Sequence, residues 1–520
     1  MTVTLSLADH VASHPDDVAV RDESGEITWR SLDRRANRLI DVLRRAGLNQ
    51  DDRVAVHSGN RREVYEIAMA CLHAGFYVLQ TNWNYRPDEL RFVLEDSDAK
   101  VLVVDDTYVE VARAALVGLT EPSVRFLMGA GAADGFESYE NALADASPDE
   151  PADQVAGAAM VYTSGTTGRP KGVFSAGLQP GAPLAALQGA AQGIRQGLRV
   201  PDDGRVLQVG PIYHSGQWSM STFPLLCGIP VTMIRFPVPE QILATVDRDR
   251  ITNFLINPVD FVRLLKLSDE QRQAFDGSSL VQALHGGAPC SPDIKRRMIE
   301  WWGPIVSEYY GASEGGLFCL ATSEEWMAKP GSVGRVMPFL EMRIVTDDGE
   351  PAETGEEGLI HFRHRNGADF SYHKQPEKTA EAHLEPGLFT LGDVGYSDGD
   401  GYLYLSDRKT DVINCGGVKV YPAEIEGVLA AHPAVADVAV IGVPSEDLGE
   451  EIKAAVMLEP SATASDELAA ELIRYVAERL APQKVPHSVD FFDDLPRTDA
   501  GKLAKAGIKA RYWKDAGRRI

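Results

Sequence analysis

The sequence predicts an α/β fold: a large N-terminal domain of layered α/β subdomains, a β-rich subdomain at about 340–406, and a small α+β domain from 407 to 520. Three observations predict it. Apolar strand runs alternate with helical stretches through the first part of the chain, which argues for parallel sheet covered by helices. From about 340 the pattern changes to short strands broken by DDG, NG and DGDG turns. After about 408 a smaller set of strands with one clear helix follows.

The elements follow in order. SLDRRANRLIDVLRRAG reads as a helix, with Leu32, Ala36, Leu39, Val42 and Leu43 on one face and arginines opposite. DRVAVHS reads as a strand and REVYEIAMACLHAG as a second helix. VLVVDD at 101–106 is a buried-strand run closed by two acids. Further strands are expected at 124–128, 158–162, 205–210 and 231–235, with helices between many of them. EMRIVT, GLIHFRH and GYLYLSD are the strands of the β-rich stretch. The last unit carries ADVAVIGV and IKAAVML, a helix from about Ser465 to Leu480, and VDFFDD. Ser465 suits the N-cap, with Asp466 and Glu467 in the first turn. GAGAADG at 129–135 lacks dinucleotide-fold spacing and a following apolar helix, so it reads as a loop.

Composition narrows the function. A net charge of −25 with no basic run argues against nucleic acid as a partner. It also means that an anionic ligand must be met by locally placed cations or backbone amides. No membrane span and no secretory start are expected. Cys71, Cys227, Cys290, Cys319 and Cys415 are scattered without metal-site spacing, which reads as reduced thiols in a cytoplasmic protein.

The most informative segment is TSGTTGRPKG at 163–172, directly after the strand AAMVY. Thr163, Ser164, Gly165, Thr166, Thr167 and Gly168 leave backbone N–H groups accessible, and Lys171 adds a point charge; a polyphosphate needs such a cradle. A flexible surface loop is the alternative. The segment is not a Walker A loop, because Pro170 stands where glycine belongs and Gly172 follows Lys171. In the DGDG stretch, Asp398 and Asp400 read as a hairpin turn rather than a calcium loop, since EF-hand spacing is absent.

TSGTTGRPKG resembles the phosphate loop of the adenylate-forming superfamily, which contains acyl-CoA synthetases, luciferases and peptide-synthetase adenylation domains. The resemblance runs in order along nearly the whole chain, from ITWRSLDRRANRL at 27 to PRTDAGKL at 496. EYYGASEGG at 308–316 resembles the family's aromatic-Gly-x-Thr-Glu motif, with Ser313 where threonine is more usual. The match implies that Tyr310 stacks on adenine, Ser313 bonds a phosphate and Glu314 holds Mg²⁺, with Tyr309 and Gly311 beside the nucleotide. HGGAPC resembles the preceding adenine loop, lined by Gly287, Ala288 and Pro289; a tight turn at Gly286-Gly287 is compatible with that.

LGDVGYSDGDGYLYLSDRKTD at 391–411 resembles the ribose and hinge motifs. By that match Asp393 and Arg408 contact ribose, and Asp407 is the hinge of a small mobile lid. INCGGVKVYPAEIE resembles the segment lining the pantetheine tunnel, at Gly416 and Gly417, although a plain β-turn reads equally well. PRTDAGKLAK makes Lys502 the adenylation lysine. PIYHSGQW at 211–218 resembles the entry to the acyl pocket. This implies Tyr213, His214 and Trp218 as pocket residues together with Gly286, Gly287 and Gly311. His214 is expected to gate or pack, because a carboxylate is already ionised at neutral pH. Trp218, Phe223 and Phe318 are candidate walls that could equally be core.

The resemblance implies an ATP-dependent acyl-CoA ligase. A hydrophobic carboxylic acid would become acyl-AMP with release of pyrophosphate, and CoA would then take the acyl group with release of AMP. Lys502, Lys171, Glu314 and His214 are the candidate catalytic set, with Mg²⁺ and CoA required. A freestanding enzyme loading a carrier-protein thiol is the alternative. PIYHSG carries no acid to pair with a substrate amine, which argues against amino-acid activation. Asn257-Pro258-Val259 and FSYHKQ depart from the usual pattern, so the acid itself is left unnamed. A homodimer is left open.

Overall fold

The computed structural model describes residues 7–163, 170–175, 177–408, 411–415, 418–445, 447–497 and 503–514; the side chains of Asp407, Arg408 and Lys419 fall outside that description. Among the described residues the strands form four sheets.

The first is nine-stranded and mainly parallel. Its centre runs Val306–Ala312, Gln282–Gly286, Asn253–Ile256, Val206–Gln208, Val231–Met233 and Val18–Asp22. The second is eight-stranded, with Ala158–Thr163, Tyr77–Thr81, Arg53–His57, Val101–Asp105 and Val124–Met128 side by side and parallel. Both sheets are covered by helices, the layered arrangement that the strand–helix alternation predicts.

The helix Trp29–Arg45 starts where Thr28 accepts a hydrogen bond from the Ser31 amide, and it buries Leu32, Ala36, Leu39, Ile40 and Leu43 as its spacing requires. It packs on Glu63–Ala74, which is buried on every face. The buried carboxylate of Glu66 in that helix is tied to Arg35 at 2.7 Å and to the Tyr139 hydroxyl at 3.2 Å, so the layer tolerates it. Gly75 ends the helix at φ +76°, and a Cβ there would stand 2.8 Å from Val155. Only glycine satisfies both conditions.

The third sheet is antiparallel: Leu340–Val345, Gly358–His364, Leu388–Ser397 and His383–Glu385, with Leu403–Arg408 paired to Leu388–Ser397. The DGDG stretch is its hairpin turn, where Asp398 accepts from the amides of Asp400 and Tyr402, and Lys329 bridges both acids. One segment of this region leaves it. Ser371–Tyr372 pairs antiparallel with Lys171–Phe174 and becomes the edge of the eight-stranded sheet. A two-residue strand with a non-local partner has no periodicity to reveal it.

The fourth sheet belongs to the small C-terminal unit: Val418–Val420, Ile413–Cys415, Gly449–Leu458 and Val435–Ser445, with Ser488–Phe492 parallel to Gly449–Leu458. The helix Asp466–Ala477 lies on it, and Ser465 accepts from the Leu468 amide at 3.2 Å as its N-cap. The five cysteines are free thiols. Among the described residues no helix is long and apolar enough to cross a membrane.

Candidate active site

Several of the sequence-predicted residues that are described, among them Lys171, Tyr310, Ser313, Glu314 and Asp393, lie where the two parallel sheets meet at the carboxyl ends of their strands, the place where open α/β sheets accept ligands. Asn60 holds that junction. Its amide donates to the carbonyls of Gly210 and Ile234 at 3.0 Å each, and its oxygen accepts from the Ile212 amide at 3.0 Å. One buried side chain therefore fastens the loop after Arg53–His57 to the other sheet.

The cradle segment joins Ala158–Thr163 to Lys171–Phe174, which pair antiparallel with Thr163 opposite Lys171. Ser164, Gly165, Thr166, Thr167 and Gly168 lie outside the described residues. The hairpin stem is anchored from below: the Tyr162 hydroxyl donates to Asp96 at 2.6 Å, and a Cβ on Gly172 would meet Met160 at 2.6 Å. Lys171 places its ammonium 5.0 Å from the ring centre of Tyr372. Burial and the nearby Lys378 pull its pKa below the ordinary lysine range, against the pull of Glu314 and Glu381.

Tyr372 then joins two predicted residues. Its ring lies under Lys171, and its hydroxyl donates to Glu314 Oε1 at 3.0 Å. The cation comes from the eight-stranded sheet and the carboxylate follows the nine-stranded sheet's strand Val306–Ala312. The tyrosine between them sits on the segment that crosses over from the β-rich region.

The strand Val306–Ala312 carries the aromatic pair. The Tyr310 hydroxyl donates to Asp393 Oδ2 at 2.5 Å, and its ring rests on Phe318 and Phe362, which stack at 4.3 Å. Asp393 lies opposite Arg408 in the strand pair, although the Arg408 side chain is outside the description. Tyr309 turns the other way and fills a space that glycines leave. A Cβ on Gly286 would stand 2.5 Å from its ring, and one on Gly216 would stand 2.8 Å from its hydroxyl. Gly287 holds φ +76°, which turns the chain sharply into Ala288 and Pro289. Gly311 is glycine for another reason: its Cβ would meet the Gly316 carbonyl at 2.4 Å in the strand pair.

The helix Ser215–Leu226 points its N-terminus at this junction, with His214 as N-cap residue. Ser215 in its first turn shares a 2.8 Å hydrogen bond with Ser313. The amides of that first turn and the helix dipole favour negative charge at this end. Tyr213 is buried, with its ring tilted against His214 at 4.5 Å and edge-on to Trp83 at 5.0 Å. Trp218 is 5% exposed within the main core, and Phe318 is fully buried in the core beneath Tyr310.

Gly416, Gly417 and Lys502 lie outside the described residues, and of Asp407 only the backbone, in Leu403–Arg408, is described. Sequence reasoning missed Tyr372, Ser215, Trp83 and Asn60. Ser215 stands inside PIYHSG and Tyr372 inside FSYHKQ, both of which were singled out for other residues. Asn60 and Trp83 carry no local signal.

The AMP-binding enzyme family model matches residues 7–369, and the AMP-binding enzyme C-terminal domain model matches 424–502. A feruloyl-CoA synthase from an Amycolatopsis species is 34% identical over 506 residues, covering 96% of each chain. The fatty acid–[acyl-carrier-protein] ligase ScoC of Streptomyces coeruleorubidus is 29% identical over 528 residues, covering 100% of this chain and 98% of its own. Among solved structures, ATP-bound MatB from Rhodopseudomonas palustris superposes with a TM-score of 0.82 at 29% identity, covering 100% of both chains.

Proposed function

We propose, on the premise that this chain belongs to the AMP-binding enzyme family, that it joins a hydrophobic carboxylic acid, aryl or fatty, to CoA through an acyl-adenylate. Its relatives over nearly the whole chain are CoA synthetases and ligases, and with them it is an AMP-forming acid–thiol ligase that uses ATP. The observation that carries the reading is that Lys171 and the Tyr372–Glu314 hydrogen bond lie beside the strand segment that carries the Tyr310–Asp393 hydrogen bond.

Each part has a task. The Tyr310 ring offers a flat face to adenine, and Asp393 accepts from ribose hydroxyls. Ser313, Ser215 and the helix N-terminus behind them face the phosphates, as does the cradle at 163–168. The substrate carboxylate attacks the α-phosphorus, the bond to the β-phosphate oxygen breaks, and pyrophosphate leaves. Lys171 offsets charge on the leaving group, and Lys502 does so between the carboxylate and the α-phosphate. Among the described residues no cluster of three or more acids, histidines or cysteines could hold a metal alone. Glu314, a carboxylate held by the Tyr372 hydroxyl beside Lys171, fits Mg²⁺ of the kind bound by one carboxylate together with substrate phosphates, where it would neutralise phosphate charge. The second step is attack of a thiolate on the acyl carbon with departure of AMP. We place the hinge at Asp407 and the thiol tunnel at Gly416 and Gly417.

The feruloyl-CoA synthase likeness and the absence of an acid in PIYHSG support a carboxylic acid with a hydrophobic body and no amine. The ScoC likeness favours a second reading, transfer to a carrier-protein thiol. Pyrophosphate release across fatty, aryl and polycyclic acids tests the first step. Thioester formation with CoA against a phosphopantetheinyl carrier protein then decides the acceptor. Release with none of the acids rejects the proposal, and thioester on the carrier alone selects the second reading.

Tyr372→Phe keeps the ring under Lys171 and removes only the hydroxyl that holds Glu314. A hydrogen bond to a charged group contributes about 1.5–3 kcal/mol, so adenylation should slow by about 10- to 150-fold with little change in melting temperature. Single-turnover pyrophosphate release checks it; a wild-type rate means that Glu314 needs no holding.

A further inference from the structure

We propose that the buried ion pair Lys295–Glu308 is a positioning device that fixes the two walls of the nucleotide pocket relative to each other. The proposal rests on the nucleotide reading above but concerns residues that the reading does not use. Lys295 lies in the helix Pro292–Trp302 and is 0% exposed. Its ammonium donates to Glu308 Oε2 at 2.6 Å and stands 4.7 Å from the ring centre of Trp326.

Its position gives the pair its purpose. Glu308 sits on the strand Val306–Ala312, immediately before Tyr309 and Tyr310. Lys295 sits in the first turn of the helix that begins directly after Gly287, Ala288 and Pro289. One hydrogen bond therefore ties the aromatic wall to the loop wall, across the register in which His285 faces Glu308 and Gly286 faces Tyr309. His285 approaches the same carboxylate oxygen at 3.7 Å, beyond hydrogen-bond reach, and neither of its ring nitrogens has a hydrogen-bond partner among the described residues. Burial and the Lys295 charge hold that ring neutral. Lys295 is thus the cation that meets Glu308.

A fold that needed stability alone would be served as well by two apolar side chains, because desolvating an ion pair offsets much of its attraction. An ion pair differs from an apolar pair in direction: it fixes a donor–acceptor geometry, whereas apolar side chains slide. A ligand pocket depends on shifts of about 0.5 Å in its walls.

The test is calorimetric titration of the full-length protein with AMP, which separates two readouts. Stoichiometry reports the folded fraction and Kd reports the shape of the pocket. Lys295→Met strands Glu308 and should raise Kd about tenfold or more, which is about 1.4 kcal/mol. Lys295→Met/Glu308→Leu removes the stranded charge. It should restore stoichiometry to the wild-type value while Kd stays at least about fivefold raised, roughly 1 kcal/mol. A double variant with wild-type Kd, or single variants that lose stoichiometry at unchanged Kd, would overturn the proposal and leave the pair a packing element. Should both Lys295→Met variants fail to fold, Glu308→Met decides: it keeps volume but removes the acceptor that Lys295 meets, and a wild-type Kd there overturns the proposal. Failure of the wild-type protein to bind AMP would instead overturn the nucleotide reading.

Discussion

Lys502→Ala should cut acyl-adenylate formation from acid and ATP by about 100- to 1,000-fold, the scale of losing one preorganised group aimed at transition-state charge. Thioester formation from pre-made acyl-adenylate should stay within about twofold of wild type, because the interaction lost serves only the first transition state. The first step brings a carboxylate toward a triphosphate in a protein of net charge −25, so each locally placed cation counts. Lys502 itself lies outside the described residues, but its flanks are well held. Arg497 donates to Asp437 at 2.7 Å, the backbones of Arg497 and Leu503 pair, and Lys505 reaches Glu426 at 2.9 Å. Leu503 packs with Leu495 and Ile508 on the core of the small unit. These contacts do not use the Lys502 side chain, so its removal should leave the fold intact. The small unit also meets the large one through an exposed pair, Lys266–Glu459 at 2.6 Å. Such a contact contributes at most about 1 kcal/mol and is a small obstacle to the proposed turn of the unit. The measurement is the two half-reaction rates side by side; parallel losses would reject the alternating role.

The layered fold was legible because its strands are local apolar runs and its helices carry a 3.6-residue stripe. The run VLVVDD became the strand Val101–Asp105, and the face through Leu32, Ala36 and Leu39 became buried. The candidate site was legible where a motif names its residues: Lys171, Tyr310, Ser313, Glu314 and Asp393 are brought into one network of contacts. What joins them was not legible, because it depends on pairings distant in sequence. Tyr372 reaches Glu314 only because Ser371–Tyr372 crosses to a different sheet, and Ser215 meets Ser313 across 98 residues. Lys295 was hidden in another way. It stands in Lys-Arg-Arg, which reads as a solvated helix face, yet it shares the face of Met298 at i+3, and both are fully buried. A lysine in register with an apolar stripe was the available signal.

Lys171→Met should slow adenylation by about 10- to 150-fold at saturating ATP, corresponding to roughly 1.5–3 kcal/mol for a charge-assisted contact. Three features make this position sensitive. The side chain leaves the strand opposite Thr163, at the exit of the cradle segment, so its backbone is fixed by the hairpin. The ammonium lies over Tyr372 at 5.0 Å, and a ring face attracts a cation without neutralising it as a carboxylate would. Burial and Lys378 lower its pKa, so the charge is already disfavoured in the free protein and gains most when phosphate oxygens arrive. The sign of the pH dependence follows. Lowering of this pKa brings deprotonation of the free protein closer to neutrality, so in wild type kcat/KM for ATP, measured well below saturation, should fall on the alkaline side as Lys171 loses its proton. Lys171→Met has no proton to lose there, and its alkaline limb should flatten. Methionine keeps the unbranched apolar stem and removes the ammonium that lies over the Tyr372 ring, which separates charge from packing. Rates of pyrophosphate release from pH 7 to 10 in both proteins provide the check. An unchanged rate would remove Lys171 from the reaction, and a slowed rate with the wild-type alkaline limb would assign that limb to another group.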